Sequence, residues 1–324
     1  MKILITKQIP ESGIKLLEEA GHTVTQFTEP GSISREKLIA ECGRHDALLS
    51  VGPNKLDAVF FEACKNLKAI SLLSVGYDNV DTKAATAAGI PVGNTPEVLN
   101  NATADTAFLL LLAVSRKAFY LHNTIARGEW NVYQPQANLG IELYGKTLGV
   151  FGLGSIGITF AKKCQSLYNM PVIYHNRSRN EMAEAELGAT YVSFDELVTQ
   201  SDVISLHANL SPETAGVFNK DVFSRMKKSA IFINTARGAM HNEADLTAAL
   251  QNGDIWGAGL DVTNPEPMLK DNPLLRMPNV CVLPHIGSAT VETRNAMAKL
   301  AAKNIIAALN GEEMPCTINP DVYQ

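Results

Sequence analysis

The sequence predicts an α/β protein made of two doubly wound parallel-sheet domains with a cleft between them. Three observations carry this. Over residues 1–100, short β-rich runs alternate with helical patterns, as expected for a parallel sheet covered on both faces. From Thr147 a second such series begins, and its first apolar run enters a G-x-G-x-x-G turn that opens onto a helical pattern. A chain of 324 residues is also too long for one typical core.

In the first series, runs 2–6, 23–27, 47–51, 68–72 and 91–94 read as strands. Segments 12–20, 34–42, 57–64 and 82–88 read as the helices between them, with Gly21 and Gly89 where C-caps belong. A long helix is expected from 101 to about 127, long enough to bridge two domains. Residues 128–146 hold Trp130, Tyr133, Pro135 and Tyr144 in an irregular stretch. It reads either as an arm onto a partner subunit or as a loop packed on its own domain. The second series places strands at 148–152, 171–175, 190–192, 202–207, 230–235, 256–261 and 279–283, with a last helix over roughly 290–310. In such sheets ligands lie outside the C-terminal ends of the strands.

Composition excludes several classes. The net charge of −5 gives no general attraction to nucleic acid or to an anionic membrane. The most apolar run, 108–114, is far short of the roughly 20 residues a membrane span needs. Cys42, Cys64, Cys164, Cys281 and Cys316 are scattered without metal-ligand spacing. They read as reduced thiols of a cytoplasmic protein, and no metal site is expected.

The turn Gly152-Leu153-Gly154-Ser155-Ile156-Gly157 points to a dinucleotide. Gly152 permits the tight turn, Gly154 lets the backbone approach a pyrophosphate, and Gly157 lets the helix pack on the strand. The free N–H groups of the helix start face a dianion. An NAD site carries Asp or Glu about 20 residues beyond this motif. Here no Asp or Glu occurs between Gly157 and Glu181, and the second strand ends in Asn176-Arg177-Ser178-Arg179. A guanidinium can bind a 2′-phosphate bidentately, where a carboxylate repels it. The reading is preference for NADPH, with NADH used less efficiently. The bland alternative is a solvated basic turn.

Three polar residues sit at predicted strand ends in the second series. Arg237 follows Ala230-Ile231-Phe232-Ile233-Asn234-Thr235-Ala236. Glu266 lies in Thr263-Asn264-Pro265-Glu266-Pro267, and His285 follows Val280-Cys281-Val282-Leu283-Pro284. Reducing a 2-keto acid needs a hydride to carbon and a proton to oxygen. His285 can give that proton near neutral pH. A carboxylate beside it favours the imidazolium and fixes the ring, a task that suits Glu266. Arg237 can bind a substrate carboxylate and polarise the carbonyl.

These residues resemble a known family. The glycine turn, Asn234-Thr235-Ala236-Arg237-Gly238, Gly259-Leu260-Asp261-Val262, Asn264-Pro265-Glu266-Pro267 and Leu283-Pro284-His285-Ile286-Gly287-Ser288 are similar to motifs of the D-isomer-specific 2-hydroxyacid dehydrogenases. The resemblance implies a flavodoxin-like substrate-binding domain (1–100 plus 288–324) and a Rossmann cofactor domain (101–287). It implies that Arg237 binds substrate and that Glu266 pairs with the acid/base His285. Backbone N–H groups of Val75 and Gly76, in Leu73-Ser74-Val75-Gly76-Tyr77-Asp78-Asn79-Val80-Asp81, would hold the substrate carboxylate, with Ser288 nearby. Thr103, Ser155, Ile156, Asn209, Thr235 and Gly287 would approach the cofactor, and Asp261 would lie by the nicotinamide carboxamide. The family's His-x-Pro-Leu-Thr run reads His207-Ala208-Asn209-Leu210-Ser211 here, without the proline.

Within the family the chain looks closest to NADPH-dependent glyoxylate/hydroxypyruvate reductases, including the 2-ketoaldonate reductase type. That implies a small 2-keto acid as substrate (glyoxylate, hydroxypyruvate or 2-ketogluconate) and a homodimer. The alternatives are an NAD-dependent member acting on phosphoglycerate or formate, and a non-catalytic nucleotide sensor resembling the corepressors on this scaffold. The complete Arg237, Glu266, His285 set favours an enzyme.

Overall fold

The computed structural model describes residues 1–324. The chain divides into two compact units, residues 1–99 with 288–324, and residues 100–287.

The first unit begins β1 (Lys2–Ile5), α1 (Glu11–Glu19), β2 (Thr23–Gln26), α2 (Arg35–Cys42), β3 (Ala47–Ser50), α3 (Ala58–Ala63), β4 (Ala69–Leu72), α4 (Thr82–Ala87) and β5 (Val92–Gly93). Helix starts follow local chemistry. Ser34, Asp57 and Asp81 each accept the N–H three residues on, so one orphan donor of each first turn is satisfied. Gly21 and Gly89 stand just past α1 and α4 with left-handed φ of 80° and 69°. The strands are parallel in the order β2-β1-β3-β4-β5, a flavodoxin-like sheet. Strands β3 and β4 are buried throughout, which explains their unbroken apolar runs.

The second unit opens on α5 (Asn100–Arg116) and α6 (Ala118–Ala126). The single helix expected over 101–127 is broken at Lys117, whose φ of 55° is left-handed. The Ser115 carbonyl accepts from Ile141 N–H at 2.9 Å, so it does not continue the helix. Nor is α5 a bridge. Ala104, Ala107, Leu110, Leu111 and Val114 are buried in the second unit's own core. There follow β6 (Leu148–Phe151), α7 (Ser155–Tyr168), β7 (Val172–His175), α8 (Glu181–Leu187), β8 (Thr190–Tyr191), α9 (Phe194–Gln200), β9 (Val203–Leu206), α10 (Lys220–Arg225), β10 (Ile231–Asn234), α11 (Glu243–Asn252), β11 (Gly257–Leu260) and β12 (Val280–Val282).

These seven strands are parallel in the order β12-β11-β10-β9-β6-β7-β8. That is the doubly wound Rossmann order with one added edge strand. The order reverses at β6, where Val150 lies beside Tyr174 on one side and Ser205 on the other. One core covers a face of the sheet with α5 and α7, and another covers the opposite face with α9, α10 and α11.

The stretch 128–146 does not pack down on its own unit as a whole. Leu143 is buried, but Trp130, Val132, Tyr133, Leu139 and Tyr144 are more than 60% exposed. Helix α6 has no buried residue.

The chain then returns as α12 (Val291–Leu309) and completes the first unit. Asn304 is fully buried, donating to the Asn94 carbonyl at 2.9 Å and accepting from Cys316 N–H at 3.2 Å. Asn319 accepts from Val92 N–H and donates to the Ile90 carbonyl. These bonds tie the returning segment to β5. No helix is long and apolar enough to cross a membrane.

Candidate active site

The glycine turn links β6 to α7. Gly152 has φ of 97°, and a Cβ there would overlap the backbone of Ala208. Only glycine fits on both counts. A Cβ at Gly157 would stand 2.7 Å from the Gly152 carbonyl oxygen, whereas one at Gly154 would meet no protein atom. Gly154 therefore clears space in front of α7, whose first N–H groups lack intrahelical partners. Ser155 and Ile156 form that helix start. Thr235, at the end of β10, has a buried Oγ1 with no hydrogen-bond partner. An open cradle at a helix start and an orphaned buried hydroxyl fit a dinucleotide.

In the basic turn after β7 two side chains have protein partners. Asn176 faces inward: its Oδ1 accepts from Leu153 N–H at 2.6 Å and its Nδ2 lies 3.4 Å from the Leu153 carbonyl. It shapes the glycine turn rather than presenting an amide outward. Arg179 is held by both oxygens of Glu184, at 3.0 and 2.5 Å. That pair holds the Glu184 carboxyl down at about 2, with help from the Tyr174 hydroxyl. Arg177 and Ser178 are exposed, and Arg177 is the guanidinium of this turn that no carboxylate pairs. The turn without the family's proline is closed by Thr214, whose Oγ1 donates to the Asn209 carbonyl and accepts from Ser211 N–H. Asn209 is exposed there.

His285 and Glu266 lie in contact. His285 Nδ1 lies 2.6 Å from Glu266 Oε1, with the two side chains 51% and 42% exposed. The His285 hydrogen bond holds the Glu266 carboxyl below the usual carboxylate range against the opposing effect of burial, and the Arg237 charge acts in the same direction. Arg237 follows β10, and its Nη1 donates to the Ala236 carbonyl at 2.8 Å.

Asp261 is 1% exposed. Its carboxylate accepts from Ile286 and Gly287 N–H at 2.8 and 2.7 Å, and its carbonyl accepts from His285 N–H at 2.9 Å. Both oxygens hold the turn that carries His285, whose φ of 54° is left-handed. Burial pushes the Asp261 carboxyl up, and the two N–H bonds oppose that. Thr103 is nearly buried, and its side chain lies close to where a Cβ on Gly287 would stand.

In the first unit, the Ser74 carbonyl accepts from Thr95 N–H at 2.9 Å and the Val75 carbonyl from Asn94 Nδ2 at 2.8 Å. A trans peptide points its N–H opposite its carbonyl. Both bonds thus fix the directions of the Val75 and Gly76 N–H groups. Ser288 opens the returning segment, and its carbonyl accepts from Arg294 Nε at 3.1 Å.

Residues 108–287 match the family model described as D-isomer specific 2-hydroxyacid dehydrogenase, NAD binding domain. The chain belongs to this family. It is 43% identical over 325 residues to a glyoxylate reductase of Thermococcus litoralis, covering 99% of this chain and 97% of that one. It is 39% identical over 322 residues to a glyoxylate/hydroxypyruvate reductase B of Klebsiella pneumoniae, covering 99% and 98%. Among solved structures it resembles an NADPH-dependent glyoxylate/hydroxypyruvate reductase of Sinorhizobium meliloti in complex with NADP and malonate. There the TM-score is 0.85 at 31% identity, covering 100% and 98%.

The sequence alone did not single out several supports of this oxidoreductase site. Asn234 is buried and accepts from Ala236 N–H while donating to the Arg237 carbonyl, both at 2.9 Å. Asn180 Nδ2 donates to the Leu153 carbonyl at 2.9 Å. Asn94 holds Val75 as described. An asparagine ending an apolar strand, as Asn234 does, was a readable signal. The other two depend on contacts across many residues.

Proposed function

We propose that this dehydrogenase reduces small 2-keto acids (glyoxylate, hydroxypyruvate and 2-ketogluconate) to D-2-hydroxy acids, with NADPH preferred over NADH. The observation that carries the reading is the 2.6 Å contact between His285 Nδ1 and Glu266. With Nδ1 engaged, Nε2 is the nitrogen left to face substrate. A nicotinamide cofactor, when bound, would supply the hydride for the carbonyl carbon. His285 gives its Nε2 proton to the carbonyl oxygen, and the exposed ring regains a proton from solvent. Arg237 and the Val75 and Gly76 N–H groups bind the substrate carboxylate, and Arg237 also stabilises charge on the oxygen.

Gly152, Gly154, Ser155, Ile156 and Gly157 would hold the pyrophosphate, and Thr235 offers its unpartnered hydroxyl. Arg177 and Ser178 would hold the 2′-phosphate. The absence of an acidic residue from this strand end supports NADPH, as does the likeness to the NADPH-dependent Sinorhizobium meliloti reductase in complex with NADP. The exposed aromatic stretch 128–146 supports a homodimer through the cofactor unit. Five unpaired cysteines, four of them buried, support a cytoplasmic setting.

A steady-state panel tests the reading: glyoxylate, hydroxypyruvate, pyruvate and 2-ketogluconate, each with NADPH and with NADH. Consumption of NADPH with the small keto acids is expected. Tight NADPH binding with no turnover on any of them would favour a nucleotide sensor. Preference for NADH would favour an NAD-linked member. Light scattering showing a monomer at micromolar concentration would overturn the dimer.

A further inference from the structure

Glu266 sits in an exposed loop between β11 and β12, where residues 264–267 all face solvent. Little packing holds that loop, yet its carboxylate must meet one ring nitrogen. Its two ends share an anchor. Glu243, the first residue of α11, accepts from Asn264 N–H with Oε2 at 3.1 Å and from Asn272 Nδ2 with Oε1 at 2.5 Å. Asn264 lies two residues before Glu266 and Asn272 six after it. One carboxylate thus joins both feet of the loop. The Thr263 hydroxyl adds a bond to the Pro265 carbonyl at 2.8 Å. Glycine at 238 lets the Arg237 segment lie against Thr263, where any Cβ would overlap the Thr263 backbone.

We propose that Glu243 is a positioning residue, strapping the Glu266 loop so that Glu266 is presented to His285. The proposal rests on the reading of Glu266 and His285 as the acid–base pair. A carboxylate in a first helical turn also favours its helix, and that structural role is separable. In Glu243→Gln, the amide oxygen still accepts Asn264 N–H, but the amide nitrogen then meets the Asn272 donor. In Asn272→Asp, Oδ1 still caps Leu274 N–H, a bond of 3.0 Å, but a carboxylate meets Glu243. Combining the two restores a donor–acceptor pair with its polarity reversed.

Each single variant should lower kcat roughly tenfold, since a small misplacement of a catalytic group costs ten- to about a hundredfold. KM for NADPH should not change. The double variant should recover to within about threefold of the parent. A second readout needs no turnover: the 15N shift of His285 Nδ1 in labelled protein should move in each single variant and return in the double. No recovery of kcat in the double variant, or an Nδ1 shift unmoved in the singles, would overturn the strap. A parent protein inactive on every keto acid would instead overturn the functional reading, and the Nδ1 shifts would still decide the strap.

Discussion

Glu266 Oε1, in the loop after β11, and His285 Nδ1, just past β12, are 2.6 Å apart, and the two strands are neighbours. The contact orients the ring. Glu266→Gln keeps an oxygen at that position but replaces the carboxylate with a neutral amide that can turn its nitrogen to the ring, and kcat should fall about tenfold to a hundredfold while KM for NADPH is unchanged. A kcat close to the parent's would show that Glu266 has no such role.

His285→Ala should remove the proton donor and leave the dinucleotide cradle intact. General acid catalysis is worth about 10²–10⁴ in rate, and kcat should fall by that order. NADPH binding, followed by fluorescence, should persist. Turnover close to the parent's across neutral pH would sink the assignment.

Arg177 and Arg179 should behave differently despite their spacing. Arg179 is held by Glu184, whereas Arg177 is the unpaired cation. Arg177→Ala should weaken NADPH binding by about tenfold to a hundredfold, the worth of one charge-assisted phosphate contact, and leave NADH binding nearly unchanged. Arg179→Ala should cost less. Equal losses for both cofactors in Arg177→Ala would mark the turn as a solvated surface.

Acid should weaken the fold through two carboxylates. Asp57 is drawn down to about 2, chiefly by Arg35 and then by Phe60 N–H, and Glu184 to about 2 by Arg179. A carboxyl lowered in the folded state stabilises it above its unfolded pKa, and the contribution disappears as pH falls through the folded pKa. Asp57→Asn, which keeps the helix cap, and Glu184→Gln should each lower Tm at neutral pH. Those differences should shrink between about pH 4 and pH 2. Differences in Tm that stay constant down to pH 2 would contradict this assignment.

Much of the molecule was legible without coordinates. Both parallel sheets were readable because buried strands show as apolar runs of local sequence, separated by capped helices. The glycine turn was readable because tight turning and close approach each demand glycine at a fixed offset. Arg237, Glu266 and His285 stood out because each follows an apolar strand, and doubly wound sheets deliver such ends to one edge.

Tertiary structure decided the rest, because those features depend on partners far apart in the chain. Lys117 breaks a helix that propensity would continue, since Ile141 takes the Ser115 carbonyl. Asn176 turns inward to Leu153, 23 residues away, and Asp261 spends its carboxylate on amides 25 and 26 residues on. Glu243 reaches Asn264 and Asn272 across 21 and 29 residues. Sequence alone determined which side chains could do the chemistry. Which of them face outward, and which are held by a neighbour, follows from hydrogen bonds that exist only once the loops are folded together.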